Sequence, residues 1–429
     1  MHACTRRPVC SSTIIPIIAR FLVLAVFAPA SIRASAADEP KSSVLSEAEA
    51  VSRTLARASL AEVIDAQGDI QEAQQRVVSA YPNPEVAYMR EQTFGAAGTS
   101  EDYLSLSQTI DLGNRRGLQG EAAAANAGAV RQEAAGQRHE LAAEARRRFY
   151  QVLYGQERVA SLEGWTARID EALLIVSRRE ASGDAATYDR RRLEREDAVA
   201  SGRLETELAT LEGTRARLAA MVGLAEPMLV VKGALLPAGD PPELPTLQEA
   251  ARTRPERVAL DRRLDAASRE RQAAARWWLP DLRLEAGWKG VDLGDLGGRT
   301  DGFLLGASLA LPLWDQSAGQ VRVAEGEARL ARARRDLLDA QLAGELSGAR
   351  AQAIQLRRAA AEFRQRTEAA SGDLVRIAAA GYGGGELGLL ELLDAYRGAA
   401  DDALMALELA LGARKARIEL DRMTGGGVP

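Results

Sequence analysis

Proline is missing from two very long stretches of this 429-residue chain, between Pro84 and Pro227 and between Pro312 and Pro429, and no other feature constrains its fold as much. An interior proline costs a helix about 3 kcal/mol or more, through a lost amide donor and a ring clash with the preceding turn. Stretches free of it can run as helices far longer than those of a compact domain. Elsewhere Pro237, Pro241, Pro242 and Pro245 crowd one segment, which reads as a connector.

The two sides of that connector resemble each other. Ser46-Glu47-Ala48-Glu49 and Thr246-Leu247-Gln248-Glu249 both have capping-box spacing, in which the hydroxyl accepts from a free amide and the glutamate reaches back. Ser107 to Asn114 aligns with Ser308 to Asp315, and Gly183 with Gly384, each displaced by 201 residues. The expected organisation is a leader at 1–36, a first repeat at 37–226, a connector at 227–245, a second repeat at 246–424 and a tail at 425–429.

Arg6 and Arg7 precede an apolar run from Ile14 to Ala30, and Ala34-Ser35-Ala36 supplies small residues for cleavage, the pattern of a secretory signal peptide. The competing reading is a membrane anchor. Against it, Pro16, Arg20 and Pro29 leave the run short of the roughly 20 residues that a spanning helix needs. Both cysteines, Cys4 and Cys10, fall in the leader, so no disulfide or thiol chemistry is expected after cleavage. Residues 1–36 hold four arginines and no acid, which leaves 51 basic against 60 acidic residues, a net charge of −9. That balance argues against nucleic-acid binding. His139, the remaining histidine, is expected on a solvated helix face. With no phosphate-binding P-loop, cysteine nucleophile or Ser/His/Asp set, neither an enzyme activity nor a cofactor or metal site is expected.

The proline-free stretches carry the periodicity of long packed helices. From Leu141, the residues Ala145, Phe149, Val152, Val159, Leu162, Trp165, Ile169, Leu173 and Val176 step by threes and fours, with one position skipped at Gln156. Leu389, Leu393, Tyr396, Ala400, Ala403, Leu407, Leu411 and Ile418 repeat the pattern near the C-terminus. Helices are expected at Ser46–Ser79, Arg116–Ser182, Ala186–Val222, Leu247–Trp278, Ala318–Gly381 and Leu387–Met423. The second and fifth would reach roughly 100 Å at 1.5 Å per residue.

Between the first two helices of each half the period changes to two. Leu282, Leu284, Ala286 and Trp288 alternate with Asp281, Arg283, Glu285 and Lys289, and Phe303 to Leu311 returns with the same alternation. Val86, Tyr88, Leu104, Leu106 and Ile110 mark a less regular pair in the first half, with Gly95–Gly98 and Gly294–Gly298 at the turns. Strands of about 10 residues with one apolar face suit a transmembrane β-barrel. Tyr81, Trp277, Trp278 and Trp314 flank them, either as an interfacial belt or as packing at a domain junction. Four strands cannot close a barrel, and an open edge in lipid leaves backbone groups unsatisfied, so several chains must share one. Three copies would supply about twelve strands, an even number within the outer-membrane range, although the count of three is not forced by this argument.

These residues resemble the TolC-like outer membrane factors. The resemblance rests on Tyr81-Pro82-Asn83-Pro84-Glu85, Ser107 to Gly113, Leu311-Pro312-Leu313-Trp314-Asp315 and Tyr382 to Asp394, in that order along nearly the whole mature chain. Gly183-Asp184-Ala185-Ala186-Thr187-Tyr188-Asp189 looks most like the branch serving cobalt, zinc, cadmium or copper efflux. The resemblance implies a mainly α protein with membrane β structure: a duplicated long-helix α-barrel with two β-hairpins per chain in a shared trimeric 12-stranded β-barrel. It implies a homotrimer in the outer membrane of a Gram-negative bacterium, embedded in lipid and extending far into the periplasm. A periplasmic adaptor protein and an inner-membrane RND transporter would be its partners, and heavy-metal cations its cargo. Drug efflux and type I protein secretion are alternatives within the family; a periplasmic adaptor or a coiled-coil scaffold lies outside it.

The helical turns at Gly183 and Gly383-Gly384-Gly385 are the expected periplasmic tips, where glycine permits sharp reversal. The resemblance gives a gating or adaptor-contact role to Gly183, Asp184, Tyr188, Asp189, Tyr382, Gly384 and Glu386. For Asp184 and Glu386 helix capping is the competing reading. Arg190 to Arg192 would pair across subunits or stand in solvent.

Overall fold

The structure, a computed structural model, describes residues 44–95, 98–224, 229–294 and 297–425; the expected signal peptide, Pro227 and residues 426–429 of the tail lie outside these ranges. Strand β1 (Val44–Leu45) leads to helices α1 (Glu47–Leu55) and α2 (Ala58–Ser79), then to strands β2 (Glu85–Gln92) and β3 (Ser100–Ile110). Next come the 68-residue α3 (Arg115–Ser182) and the 36-residue α4 (Thr187–Val222). The same order follows in β4 (Val230–Val231), α5 (Leu244–Arg252), α6 (Pro255–Ala275), β5 (Leu282–Asp292) and β6 (Arg299–Leu309). A 67-residue α7 (Ala318–Gly384) and a 36-residue α8 (Leu389–Thr424) complete it.

Both expected first helices are broken. At Arg254 the following Pro255 disfavours the helical conformation, so α5 stops and α6 starts with that proline in its first turn. The first half has the same break without a proline. There Arg57 takes an extended conformation, and its guanidinium donates to the Ala220 carbonyl at 2.7 Å, tying the break to the end of α4.

The capping boxes also part company. Ser46 caps α1, its Oγ accepting from the Glu49 amide at 3.3 Å. Thr246 caps nothing, because α5 already begins at Leu244, with Glu243 as its N-cap and Pro245 in the first turn. A single displacement of 201 gives way to several: 197 residues from α1 to α5 and from α2 to α6, 203 from α3 to α7, and 202 from α4 to α8. Linker length is one reason, since residues 111–114 join β3 to α3 whereas residues 310–317 join β6 to α7.

On the strand side the helices lie in the order α2-α3-α6-α7, and on the far side in the order α4-α3-α8-α7. The long helices α3 and α7 thus run through both layers. The expected heptad stripe is the core: Phe149, Val152, Trp165, Ile169 and Val176 are fully buried, with Leu393 and Ile418 of α8 packed into the same clusters. Gln156 interrupts the stripe for a structural reason. Its amide donates to the Val231 carbonyl at 3.0 Å and accepts from the Val231 amide at 2.9 Å, clamping β4 to the middle of α3.

β1 and β4 pair in parallel, and a polar network surrounds them. Arg146 reaches Glu47 at 2.5 Å and Asp421 at 3.0 Å, joining α1, α3 and α8. Arg414 lies 4.3 Å from the Tyr150 ring centroid and donates to the Ala234, Leu235 and Leu236 carbonyls of the connector. The Tyr150 hydroxyl donates to Glu47, and burial followed by that carboxylate pushes its pKa up. His139 is half-buried rather than solvated, next to Gly425 at the end of α8.

Candidate channel wall and helical tips

The four long strands form one antiparallel sheet in the order β2-β3-β5-β6. Its register puts Val86 opposite Leu106, Leu106 opposite Ala286 and Ala286 opposite Leu305, so one row of a single face is apolar across every strand. The next row, Tyr88, Leu104, Trp288 and Phe303, is apolar as well. Alternate residues turn to the other face, which carries Glu85, Ser107, Glu285 and Gly306 in one row and Ala87, Ser105, Gly287 and Leu304 in another. Arg283 binds Glu85 at 2.6 Å and Lys289 binds Glu101 at 2.6 Å on that second face.

The apolar rows are open to the surroundings: Val86 is 72% exposed, Phe303 83% and Leu305 73%. Among the described residues β2 and β6 have no outer partner, which leaves two unpaired edges. At the strand bases Tyr81, Trp278 and Trp314 are exposed while Trp277 is partly buried, a ring of aromatics at the level where strands give way to helices.

At the opposite end two helical reversals have the same geometry. Gly183 (φ +87) follows α3, with its amide donating to the Glu180 carbonyl and the Asp184 amide to the Arg179 carbonyl at 2.7 Å. Gly385 (φ +77) follows α7, with its amide donating to Tyr382 and the Glu386 amide to Gly381 at 2.8 Å. These paired bonds are Schellman motifs, and the left-handed position in each is one that glycine occupies without a Cβ penalty. The counterpart of Gly183 is therefore Gly385, and Gly384 is the last residue of α7.

Asp184 accepts from the Ser182 hydroxyl at 2.9 Å, a local cap-like contact at an exposed position. Tyr188 is 69% exposed, Glu386 is exposed, and Asp189 lies partly buried in the first turn of α4. Tyr382 is buried, its carbonyl accepts from Arg179 at 2.9 Å, and the same guanidinium lies 5.3 Å from its ring centroid. Burial pushes the Tyr382 hydroxyl pKa up; Arg179 opposes that and the nearby Asp189 carboxylate adds to it. The fold thus seats Tyr382 against Arg179, with the Asp189 carboxylate near enough to act on the Tyr382 hydroxyl.

Arg179 was not among the expected residues. Its only signal in the sequence was a basic side chain in the last turn of a helix, where the macrodipole favours one. Arg190 and Arg191 are paired inside their own chain, Arg190 with Glu180 at 2.6 Å and Arg191 with Glu194 at 2.9 Å. Those partners lie within ten residues of them, which makes pairing across subunits unnecessary for these two. Hydrogen bonds from Thr187 and then Arg190 hold the Glu180 carboxyl below the usual range. A second unforeseen pair joins α4 to α8, where Arg397 binds both oxygens of the buried Glu196 carboxylate.

Residues 246–426 match the outer membrane efflux protein family. The chain is 28% identical over 359 residues to the cobalt-zinc-cadmium resistance protein CzcC of Cupriavidus metallidurans, an alignment covering 80% of this chain and 81% of that protein. Its fold is shared with CusC at a TM-score of 0.72 and 16% identity, covering 90% of this chain and 93% of that one. The open outer membrane channel MtrE of Neisseria gonorrhoeae gives a TM-score of 0.70 at 19% identity, covering 89% of each chain. The second half of the chain thus matches the outer membrane efflux protein family, and most of the chain shares the fold of the solved outer membrane channels.

Proposed function

We propose that this chain is one subunit of a trimeric conduit that carries heavy-metal cations from the periplasm to the exterior, completing a tripartite system with a periplasmic adaptor and an inner-membrane RND transporter. The observation that carries this reading is the amphipathic four-stranded sheet, open at both edges and continued by helices of about 100 Å. Such a sheet is a section of a barrel wall, with its apolar face toward lipid and its polar face toward a water-filled lumen. The unpaired edges of β2 and β6 need partners within the membrane, and copies of the same chain supply them. The long helices then continue the tube into the periplasm.

The metal cargo is supported by the similarity to a cobalt-zinc-cadmium resistance protein. Deleting the chain in its host should sensitise cells to cobalt, zinc or cadmium and leave drug tolerance unchanged. The opposite pattern would reassign it to drug efflux. Purified protein should sediment in detergent as a trimer from the outer-membrane fraction, and a soluble periplasmic monomer would overturn the channel reading.

The tip residues Gly183, Asp184, Tyr188, Asp189, Tyr382, Gly384 and Glu386 line the periplasmic entrance in this reading. Asp184, Asp189 and Glu386 draw cations toward it, because three subunits multiply the negative field at a narrow mouth. Single-channel recording on the triple Asn/Gln variant should show reduced cation selectivity. Unchanged conductance, selectivity and gating would remove the acids from that role.

A further inference from the structure

We propose that subunits join along a specific apolar zipper on the membrane-proximal half of the helical wall, with α7 of one chain seated antiparallel against α2 of a second copy. The inference rests on the trimeric reading above and adds the residues and the register. α2 and α7 are the two outer helices of the strand-side layer, and no residue of α2 is buried. Even so, α2 presents Val63, Ile70 and Val77 in strict steps of seven, each more than half exposed. α7 presents Val323, Leu330 and Leu337, again in steps of seven and each at least half exposed. Heptad spacing on a solvent-facing helix edge is the pattern of a seam awaiting a partner helix.

The two rows fit one another. α2 runs into β2 whereas α7 leaves β6, so both reach the membrane end and helices from adjacent chains lie antiparallel there. Starting at that end, Val77 falls opposite Val323, Ile70 opposite Leu330 and Val63 opposite Leu337. Packing inside the chain supplies the same register independently. α3 against α6 is the internal counterpart of α7 against a neighbouring α2, and there Gly136 faces Glu256 and Glu133 binds Arg263. Moved by the repeat displacements of 203 and 197, those pairs fall on positions 339 with 59 and 336 with 66. Leu337 opposite Val63 agrees with both to well within a helical turn.

The linker before α7 extends the seam. Residues 310–317 are the longer of the two strand-to-helix links, and they expose Leu311, Leu313 and Trp314 at the level of Val77 and Tyr81 on the opposite edge. The shorter link lies inside the chain, where no neighbouring copy has to be reached.

Cysteine cross-linking tests the register, because Cys4 and Cys10 are the only native cysteines and both precede the expected cleavage site. Ile70→Cys with Leu330→Cys, oxidised in the detergent-purified full-length protein, should give dimer and trimer bands that vanish on reduction. Ile70→Cys with Leu337→Cys, one heptad out of register, should remain monomeric on the same denaturing gel. Leu330→Glu alone should dissociate the assembly while the far-UV circular dichroism of the protomer is retained. A protein that sediments as a trimer but cross-links equally through both pairs, or through neither, overturns the zipper and leaves the trimer standing. A monomeric wild-type protein overturns the trimeric reading itself.

Discussion

The buried Glu196 carboxylate has the clearest energetic consequence of any single residue. Arg397 neutralises it from α8 and holds its pKa below the usual carboxylate range, mainly by hydrogen bonding. Arg397→Met leaves the carboxylate desolvated without a partner and should destabilise the protein by about 1–3 kcal/mol, solvent at the half-exposed guanidinium keeping the loss modest. The sign with pH follows from the lowered value. The pair contributes fully above the unfolded glutamate pKa of about 4.3, and its contribution fades as pH falls through the lower folded value. Urea midpoints of wild type and variant should therefore differ at pH 7 and converge toward pH 3. A constant gap across that range would mean that the arginine acts through packing alone.

At the scale of elements, the chain relies on contacts that fasten irregular segments to regular ones. β4 has two residues and one short partner strand, so the reciprocal Gln156 bonds to Val231 provide much of its anchorage. Gln156→Leu would restore an unbroken apolar stripe on α3 and leave two backbone groups at Val231 without partners. Losing them should cost about 1–3 kcal/mol, and limited proteolysis should cut the connector at 232–243 faster than in wild type. Equal cleavage rates would place the anchorage in the Arg414 bonds to residues 234–236 instead. The broken first helices belong to this scale too. Each break separates a short helix at mid-height, α1 or α5, from the helix that climbs to the strands.

For the whole molecule, the decisive property is that its exposed apolar surfaces include the sheet face and helix edges that the proposed channel turns to lipid and to neighbouring chains. Leu305 sits in the apolar row shared by all four strands. Leu305→Arg should lower the yield of assembled protein in the outer-membrane fraction, because a charge on the lipid face of a barrel costs about 2–4 kcal/mol near the bilayer midplane. Ser105→Arg, on the opposite face, should assemble better than Leu305→Arg and alter conductance. Equal loss in both variants would contradict the assignment of the two faces. The proposed channel couples assembly to membrane insertion, since β2 and β6 have no outer partner among the described residues of a single chain.

By itself the sequence determined the long helices, the four long strands and their order, though not the breaks that divide each first helix or the short strands β1 and β4. Long proline-free runs with heptad spacing have no stable alternative to long helices, and period-two alternation between glycine turns specifies strand hairpins whose apolar side is already decided. Those signals are local and depend on residues a few positions apart. The tertiary structure decided everything that depends on the path of the chain. It paired Arg179 with Tyr382 and Glu196 with Arg397, gave Gln156 its clamp, moved the tip glycine from Gly384 to Gly385 and withdrew the capping role of Thr246. None of these can be read from spacing, because the partners are brought together by helices about 100 Å long, and small differences in linker length shift one repeat against the other. The proline gaps specify the height of the wall; packing decides which residues hold it together.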